Sequence, residues 1–285
     1  MSSLRALRRR IKSVQNTQQI TKAMEMVAAA KLRRAQGRAT AARPYAARIS
    51  AMLASLAGAA AELDHPLFKA REVRRTALVL VTADRGLCGG YNSALIRAAE
   101  QRLRAAAPGS IQLVLVGRKG RDYFRRRKYP VLATYTPVPA EASLDFARTL
   151  TQDLIGRFTA GEVDQVDLMF TEFISALRRT VRVHTFLPVG AAGGAAATAG
   201  DVTIFEPDAE TIFAELLPRY ATARLFASLA DALASEHGAR MIAMGAARKN
   251  AGELIDLLVL RRNRVRQATI TKELLEIVGG AEALR

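Results

Sequence analysis

Cysteine occurs once in the 285 residues, at Cys88, and tryptophan not at all. A single thiol excludes an internal disulfide framework and a CxxC redox or zinc site. The three histidines, His65, His184 and His237, are far apart in the chain. No HExxH spacing, Ser/His/Asp set or paired carboxylates at an evident pocket accompany them, so no catalytic, cofactor-binding or metal-ligating residue is expected. No apolar run approaches the ~20 residues that a membrane-spanning helix needs. Acidic residues are scarce: 26 against 43 Lys and Arg, a net charge of +17. Such an excess calls for an anionic or acidic partner, whether nucleic acid, lipid headgroups or acidic protein surface. Aromatic residues make up only 6% of the chain, and no RNP-like or recognition-helix pattern interleaves them with the charges as a nucleic-acid reader would require.

What is present falls into three stretches, 1–62, 72–200 and 207–285. The first lacks glycine until Gly37 and proline until Pro44, which favours one uninterrupted helix. Leu4, Leu7, Ile11 and Val14 repeat at three, four and three residues, the pattern of a helix that faces another helix. Ile20, Met24 and Val27 lie about a residue off that repeat, so the register is expected to drift there. Residues 1–50 carry twelve Lys or Arg and one acid, Glu25. Its Arg-rich, acid-poor start is shared with organellar transit peptides, but the helical pattern runs on into the body of the chain, so none is expected.

The middle stretch changes period. "TALVLVT" (76–82), "IQLVLVG" (111–117) and "VLATY" (131–135) are short apolar runs suited to strands buried on both faces. Helical segments over 92–106, 118–128 and about 141–160 separate or follow them. Strand–helix alternation predicts a parallel sheet with helices on its faces. "QVDLMFTEF" (165–173) and "TVRVHTFLPV" (180–189) follow over a short connection, at least one of them antiparallel. The Gly/Ala-rich 190–200 reads as a loop or linker. In the last stretch Glu206-Pro207-Asp208 opens a helix, with Asp208 as the N-cap, and Pro218 is expected to interrupt its first turns. Beyond it Met244, Ala247, Ala251, Leu254 and Leu258 keep a helix-pairing spacing that Val265, Ala268 and Leu275 extend. Two terminal helices flanking one inserted α/β domain predict that the ends pair with each other, antiparallel.

"TADRGLCGGYN" (82–92) is a Gly-rich loop between a strand and a helix, the place where α/β folds hold phosphate. Its spacing matches neither GxGxxG nor GxxxxGK[ST], and Asp84 opposes an anion. Glycines supplying turn angles is the ordinary reading, and a small buried side chain is the ordinary role for Cys88. "RKGRDYFRRRK" (118–128) and "RRNRVR" (261–266) add two basic clusters. One cluster is usually a solvated helix face; three in one chain point to a negatively charged partner.

Four segments in this order resemble one family, the gamma subunit of F-type ATP synthases: "IKSVQNTQQITKAMEMVAAAKLRRAQ" (11–36), "DRGLCGGYN" (84–92), "RMIAMGAARKNAGELI" (240–255) and "RVRQATITKELLEIVGGAEAL" (264–284). The likeness covers nearly the whole chain and is looser over 110–205. It implies an antiparallel coiled coil of the terminal helices within a ring of alpha and beta subunits. It also implies an inserted Rossmann-like α/β domain that meets the epsilon subunit and the membrane c-ring. The implied function is that of the central rotor shaft, one copy per complex, a non-catalytic part of an enzyme. It carries no cofactor and lies peripherally on the cytoplasmic side of a bacterial plasma membrane. Nucleotides bind alpha and beta in that family, which favours the structural reading of the Gly-rich loop. Rotor–stator coupling roles are carried over to Met24, Arg240, Arg266, Gln267, Thr271 and Glu273. Lys22, Arg9 and Arg10 are added for their charge beside an acidic loop of beta. The single cysteine departs from plant chloroplast members with a regulatory cysteine pair, so no thiol switch is expected. The alternative reading is a basic α/β nucleic-acid-binding protein with a helical-hairpin arm.

Overall fold

The computed structural model describes residues 4–55, 66–68, 71–189 and 209–282. Segment 190–200 and the Glu206-Pro207-Asp208 helix start lie outside the described residues. Among the described residues ten elements follow in order: α1 (Leu4–Ser55), β1 (Thr76–Val81), α2 (Tyr91–Ala105), β2 (Ile111–Val116), α3 (Arg118–Arg126), β3 (Val131–Tyr135), α4 (Leu144–Thr159), β4 (Gln165–Phe173), β5 (Arg179–Leu187) and α5 (Ala209–Glu282). They form two compact units. One comprises residues 1–28 with 241–285, the other residues 29–240.

In the larger unit the apolar runs become a five-stranded sheet of order β3-β2-β1-β4-β5. β1 pairs parallel with β2 and with β4, β2 pairs parallel with β3, and β5 closes the edge antiparallel to β4. Side chains alternate along each strand, which divides the core in two. Ala77, Val79, Val81, Val114, Val116, Leu168 and Phe170 face Leu150, Leu154 and Phe158 of α4 and Leu217, Ala221 and Leu225 of α5. Leu78, Leu80, Leu113, Leu115 and Met169 face Leu95 and Ala99 of α2 and Phe124 of α3. Both faces are covered, which is why these strands read as continuous apolar runs. The buried exception, Asp167 in β4, pairs with Arg102 and accepts hydrogen bonds from Gln165 Nε2 (2.8 Å) and Thr185 Oγ1 (3.2 Å). A carboxylate survives there because its oxygens are all occupied.

Pro218 does not interrupt α5; the helix runs through it. A proline inside a helix costs about 3 kcal/mol. Here Leu217, Tyr220 and Ala221 on either side are buried in the core, and that packing offsets the lost backbone bond.

In the smaller unit the start of α1 lies along the end of α5. Leu7 and Ile11 cluster with Leu258, backed by Val14, Ile255, Val259 and Val265. Further along, Glu25 meets Arg248 and Gln18 comes against Gly252. Rising numbers on one helix match falling numbers on the other, so they run antiparallel. The expected drift in register is absent. The three–four repeat of Leu4, Leu7, Ile11 and Val14 continues through Gln18, Thr21, Glu25 and Ala28. Thr21 is 8% exposed and Ala28 2%, whereas Ile20 is 60% exposed and Val27 55%. Polar residues hold the inner positions because α5 presents glycines and a cation there, leaving room and a hydrogen-bond partner. On α5 the expected inner residues Leu254 and Leu275 are exposed, as is Ala268. Met244, Ala251, Leu258 and Val265 take the inward face as their spacing predicts, and Ile255 joins them in place of Leu254. Leu254 and Ile255 stand at the third and fourth positions after Ala251, and only contact with α1 selects between them.

Candidate functional site

The Gly-rich loop begins where β1 ends. Asp84 turns its carboxylate inward and accepts from the backbone N–H of Arg118 (2.8 Å) and of Val138 (2.8 Å). Arg118 opens α3, whose preceding residue Gly117 makes no side-chain cap bond. An anion is favoured at such a helix start, and the chain's own Asp84 supplies it. Asn92 Oδ1 accepts from Ala83 N–H at 2.9 Å, and Asn92 Nδ2 donates to Cys88 Sγ at 3.2 Å. Burial pushes the Cys88 thiol above its usual range, which keeps it from acting as a thiolate nucleophile. The loop knits the sheet's carboxyl edge together, as its ordinary reading requires.

Over this loop lies a cluster of charge carried by α5. Arg240 donates to Glu236 Oε1 at 2.6 Å, one helical turn back. The same guanidinium donates to the Gly86 carbonyl through Nε and Nη2, both at 3.3 Å, and faces His237 Nδ1 at 3.3 Å. Burial pushes the Glu236 carboxyl up, with Asp84 adding to that effect and Arg240 opposing it. Burial, Arg240 and Lys31 together push His237 down to about 4. A neutral imidazole offers its Nδ1 lone pair to the guanidinium. Lys31, Asp84, Arg85, Arg118, Pro137 and Ala140 join this cluster around a cavity of about 260 Å³. A guanidinium satisfied on several sides is a clamp between helix and loop. Among the described residues no group of three His, Cys, Asp or Glu side chains could hold a metal ion.

Arg240 is the one expected coupling residue in the larger unit. In the smaller unit Arg9, Arg10 and Lys22 are exposed on α1 and Met24 is half-buried beside Glu25. Arg266, Gln267, Thr271 and Glu273 are all exposed on α5. Part of the basic excess is consumed locally: Arg38 binds Glu141 and donates to the Ala142 carbonyl at 2.8 Å. Sequence reasoning passed over Glu25 and Arg248, whose charges meet at 2.9 Å. The signal was the unbroken three–four spacing that leads from Leu4 to Glu25.

Residues 3–284 match the family model described as ATP synthase. The chain is 48% identical over 285 residues to the ATP synthase gamma chain of Moorella thermoacetica and 49% identical over 285 residues to that of Desulforamulus reducens, in each case covering all of both chains. Among solved structures it is similar to a chain of the Tetrahymena thermophila mitochondrial ATP synthase central stalk and c-ring. That match has a TM-score of 0.63 at 25% identity and covers 80% of this chain and 99% of the other. A chain of the Euglena gracilis mitochondrial ATP synthase rotor shares the fold at a TM-score of 0.66 and 18% identity, covering 94% and 98% of the two chains. With the family model spanning residues 3–284 and nearly half of all positions identical to a gamma chain over the full length, the chain belongs to the ATP synthase family, among the gamma chains.

Proposed function

We propose that the chain is the central-stalk rotor subunit of an F-type ATP synthase. It carries the rotation of an ion-driven membrane ring to catalytic beta subunits and has no active site of its own. The observation that carries this reading is the end-to-end identity of 48% to a gamma chain. The nucleic-acid alternative gains no support from the matches.

In this reading the terminal helices form an antiparallel coiled coil. The contact order, Gln18 with Gly252 and Glu25 with Arg248, supports it. The inserted domain is Rossmann-like, a reading supported by the parallel β3-β2-β1-β4 order with helices on both faces. The functional division runs 1–62, 72–200 and 207–285. The partners are the alpha and beta subunits around the coil, with epsilon and the c-ring at the α/β domain, and one copy serves each complex. In this reading the chain lies on the cytoplasmic side of a bacterial plasma membrane, and its likeness to bacterial gamma chains supports the bacterial source. No helix among the described residues is long and apolar enough to cross a membrane.

The mechanism is mechanical. Each beta subunit meets a different face of the turning coil, and a face that binds one beta conformation better shifts the population toward it. Met24, Lys22, Arg9, Arg10, Arg266, Gln267, Thr271 and Glu273 are the contacts through which that preference acts. Arg240 keeps α5 fixed to the α/β domain. Reconstitution with alpha and beta subunits tests the reading: a stoichiometric complex with ATPase activity and ATP-driven rotation of a probe on this chain is expected. A chain that stays outside the complex and instead binds duplex DNA in a salt-sensitive way would overturn it.

A further inference from the structure

A second concave site lies between α2 and α3, bordered by the Gly-rich loop through Gly89 and Asn92. It is a cleft of about 540 Å³ lined by Arg97, Lys119, Arg126 and Arg127, together with Glu100, Asp122 and Tyr123. That volume is in the range of small-molecule sites.

Both carboxylates are already engaged. Glu100 accepts from the Tyr123 hydroxyl at 2.9 Å and lies 3.9 Å from Arg104 and from Arg127. Arg127 is stacked over the Tyr123 ring, 3.7 Å from its centroid. Asp122 accepts two bonds from Arg121, at 2.7 and 2.9 Å. It is held below the usual carboxylate range first by that bond and then by the fields of Arg126 and Lys119. Arg97, Lys119 and Arg126 are left over: among the described residues none of their side chains makes an ion pair or hydrogen bond. The Asp122 carboxylate acts on Lys119 and Arg126 at a distance, but cations outnumber carboxylates around the concavity, and an anion between them relieves their mutual repulsion. Guanidinium groups match phosphate oxygens in pairs, and lysine adds a point charge.

We propose that the α2–α3 cleft binds a phosphate-bearing small anion through Arg97, Lys119 and Arg126. Concavity favours a small ligand over an acidic protein segment, which would need a broad surface. Arg127 covers one face of the only aromatic ring at the cleft, so a nucleotide base finds no open platform on that face. Recognition is therefore of phosphates, whether in pyrophosphate, inorganic phosphate or the polyphosphate tail of a nucleotide.

Titration calorimetry of the purified full chain at physiological salt tests this with pyrophosphate, inorganic phosphate and ATP. Pyrophosphate and ATP are expected to bind with similar affinity, and inorganic phosphate more weakly. A Lys119→Gln/Arg126→Gln variant should lose roughly tenfold or more in affinity. An Arg148→Gln/Arg219→Gln variant, altered in a separate groove that α4 and α5 line, controls for general charge and should bind as the parent does. All four positions are exposed, and unchanged urea midpoints would show the fold intact. Equal loss in both variants, or no loss in the first, overturns the site. So does ATP binding far tighter than pyrophosphate, which would mean base recognition. A glutamate-rich peptide displacing pyrophosphate at lower concentration than ATP does would assign the cleft to an acidic protein instead.

Discussion

Glu25 of α1 and Arg248 of α5 meet across the helix pair at 2.9 Å, at an inner position where the repeat calls for an apolar residue. Room for the carboxylate comes from Gly245: a Cβ there would lie 3.2 Å from Glu25 Oε1. A polar residue at such a position fixes which residues face each other, at some expense in stability.

Gly245→Ala sets two effects against each other. Alanine gains about 1 kcal/mol of helix propensity over glycine, and crowding of Glu25 opposes it. The gain should be nearly cancelled in the parent chain and appear in full, ~1 kcal/mol, beside Glu25→Ala. Urea unfolding of the four chains gives the coupling directly. Equal stabilisation in both backgrounds would mean that the close approach carries no energy.

Arg240→Met leaves the Glu236 carboxylate buried beside Asp84 without its cation. The expected loss is about 3 kcal/mol, and the double variant Arg240→Met/Glu236→Met should recover most of it. Chemical denaturation followed by circular dichroism distinguishes this from a purely solvated pair, for which both variants would sit within ~0.5 kcal/mol of the parent.

His237 has its folded pKa pushed down to about 4 from an ordinary 6.5. Between those values the unfolded chain binds more protons than the folded one. The contribution of this histidine is therefore complete above pH 6.5 and is lost as pH falls toward 4. The size is about 3 kcal/mol. Glu236, pushed up by burial, works in the opposite sense: its protonation on acidification relieves a buried charge. His237→Asn keeps an acceptor for Arg240 without the titration. Its stability should fall less steeply than the parent's between pH 6.5 and 4, and parallel curves would refute the assignment.

Two glycines separate conformation from propensity. Gly117 has φ +97°, and a Cβ there would lie 2.1 Å from the Thr82 carbonyl oxygen. Gly117→Ala should cost at least ~3 kcal/mol, because backbone, not a flexible side chain, has to move. Gly156 in α4 has nothing within 4 Å of such a Cβ. Gly156→Ala should stabilise by ~0.5–1 kcal/mol. Thermal unfolding of both variants reads the difference in sign.

Met24→Lys places an ammonium next to Lys22 and Glu25 on the partly exposed side of α1. Under the proposed rotor reading, with an acidic loop of beta beside this helix, it is expected to bind that loop and impair coupling. ATP hydrolysis should persist while ion pumping per ATP falls. Equal hydrolysis and equal pumping in variant and parent would remove Met24 from the coupling contacts.

Much of this was legible in the residues. Apolar runs such as Leu78–Val81 and Leu113–Val116 predict strands covered on both faces, since only such strands dispense with polar alternation. "QVDLMFTEF" followed closely by "TVRVHTFLPV" predicts the antiparallel edge, because a short connection cannot make a parallel crossover. The Leu4–Val14 repeat predicts a partner helix. The roles of Asp84 and Arg240 were not legible: each is made by backbone groups that come from elsewhere in the chain, Arg118 and Val138 for one, Gly86 for the other.

Period and composition by themselves determined the elements and the pairing of the chain's ends, and raised the expectation of acidic or anionic partners. Those properties follow from how often an apolar side chain recurs and from net charge, and both are local or additive. The tertiary structure alone decided that Thr21 and Glu25, not Ile20 and Val27, face the partner helix. Hydropathy measures the cost of leaving water for an apolar surrounding. The inner face of α1 is not uniformly apolar, because Gly245, Arg248 and Gly252 make it roomy and charged there. Which side chain belongs at a buried position depends on what stands opposite, and that is known only once the chain has folded.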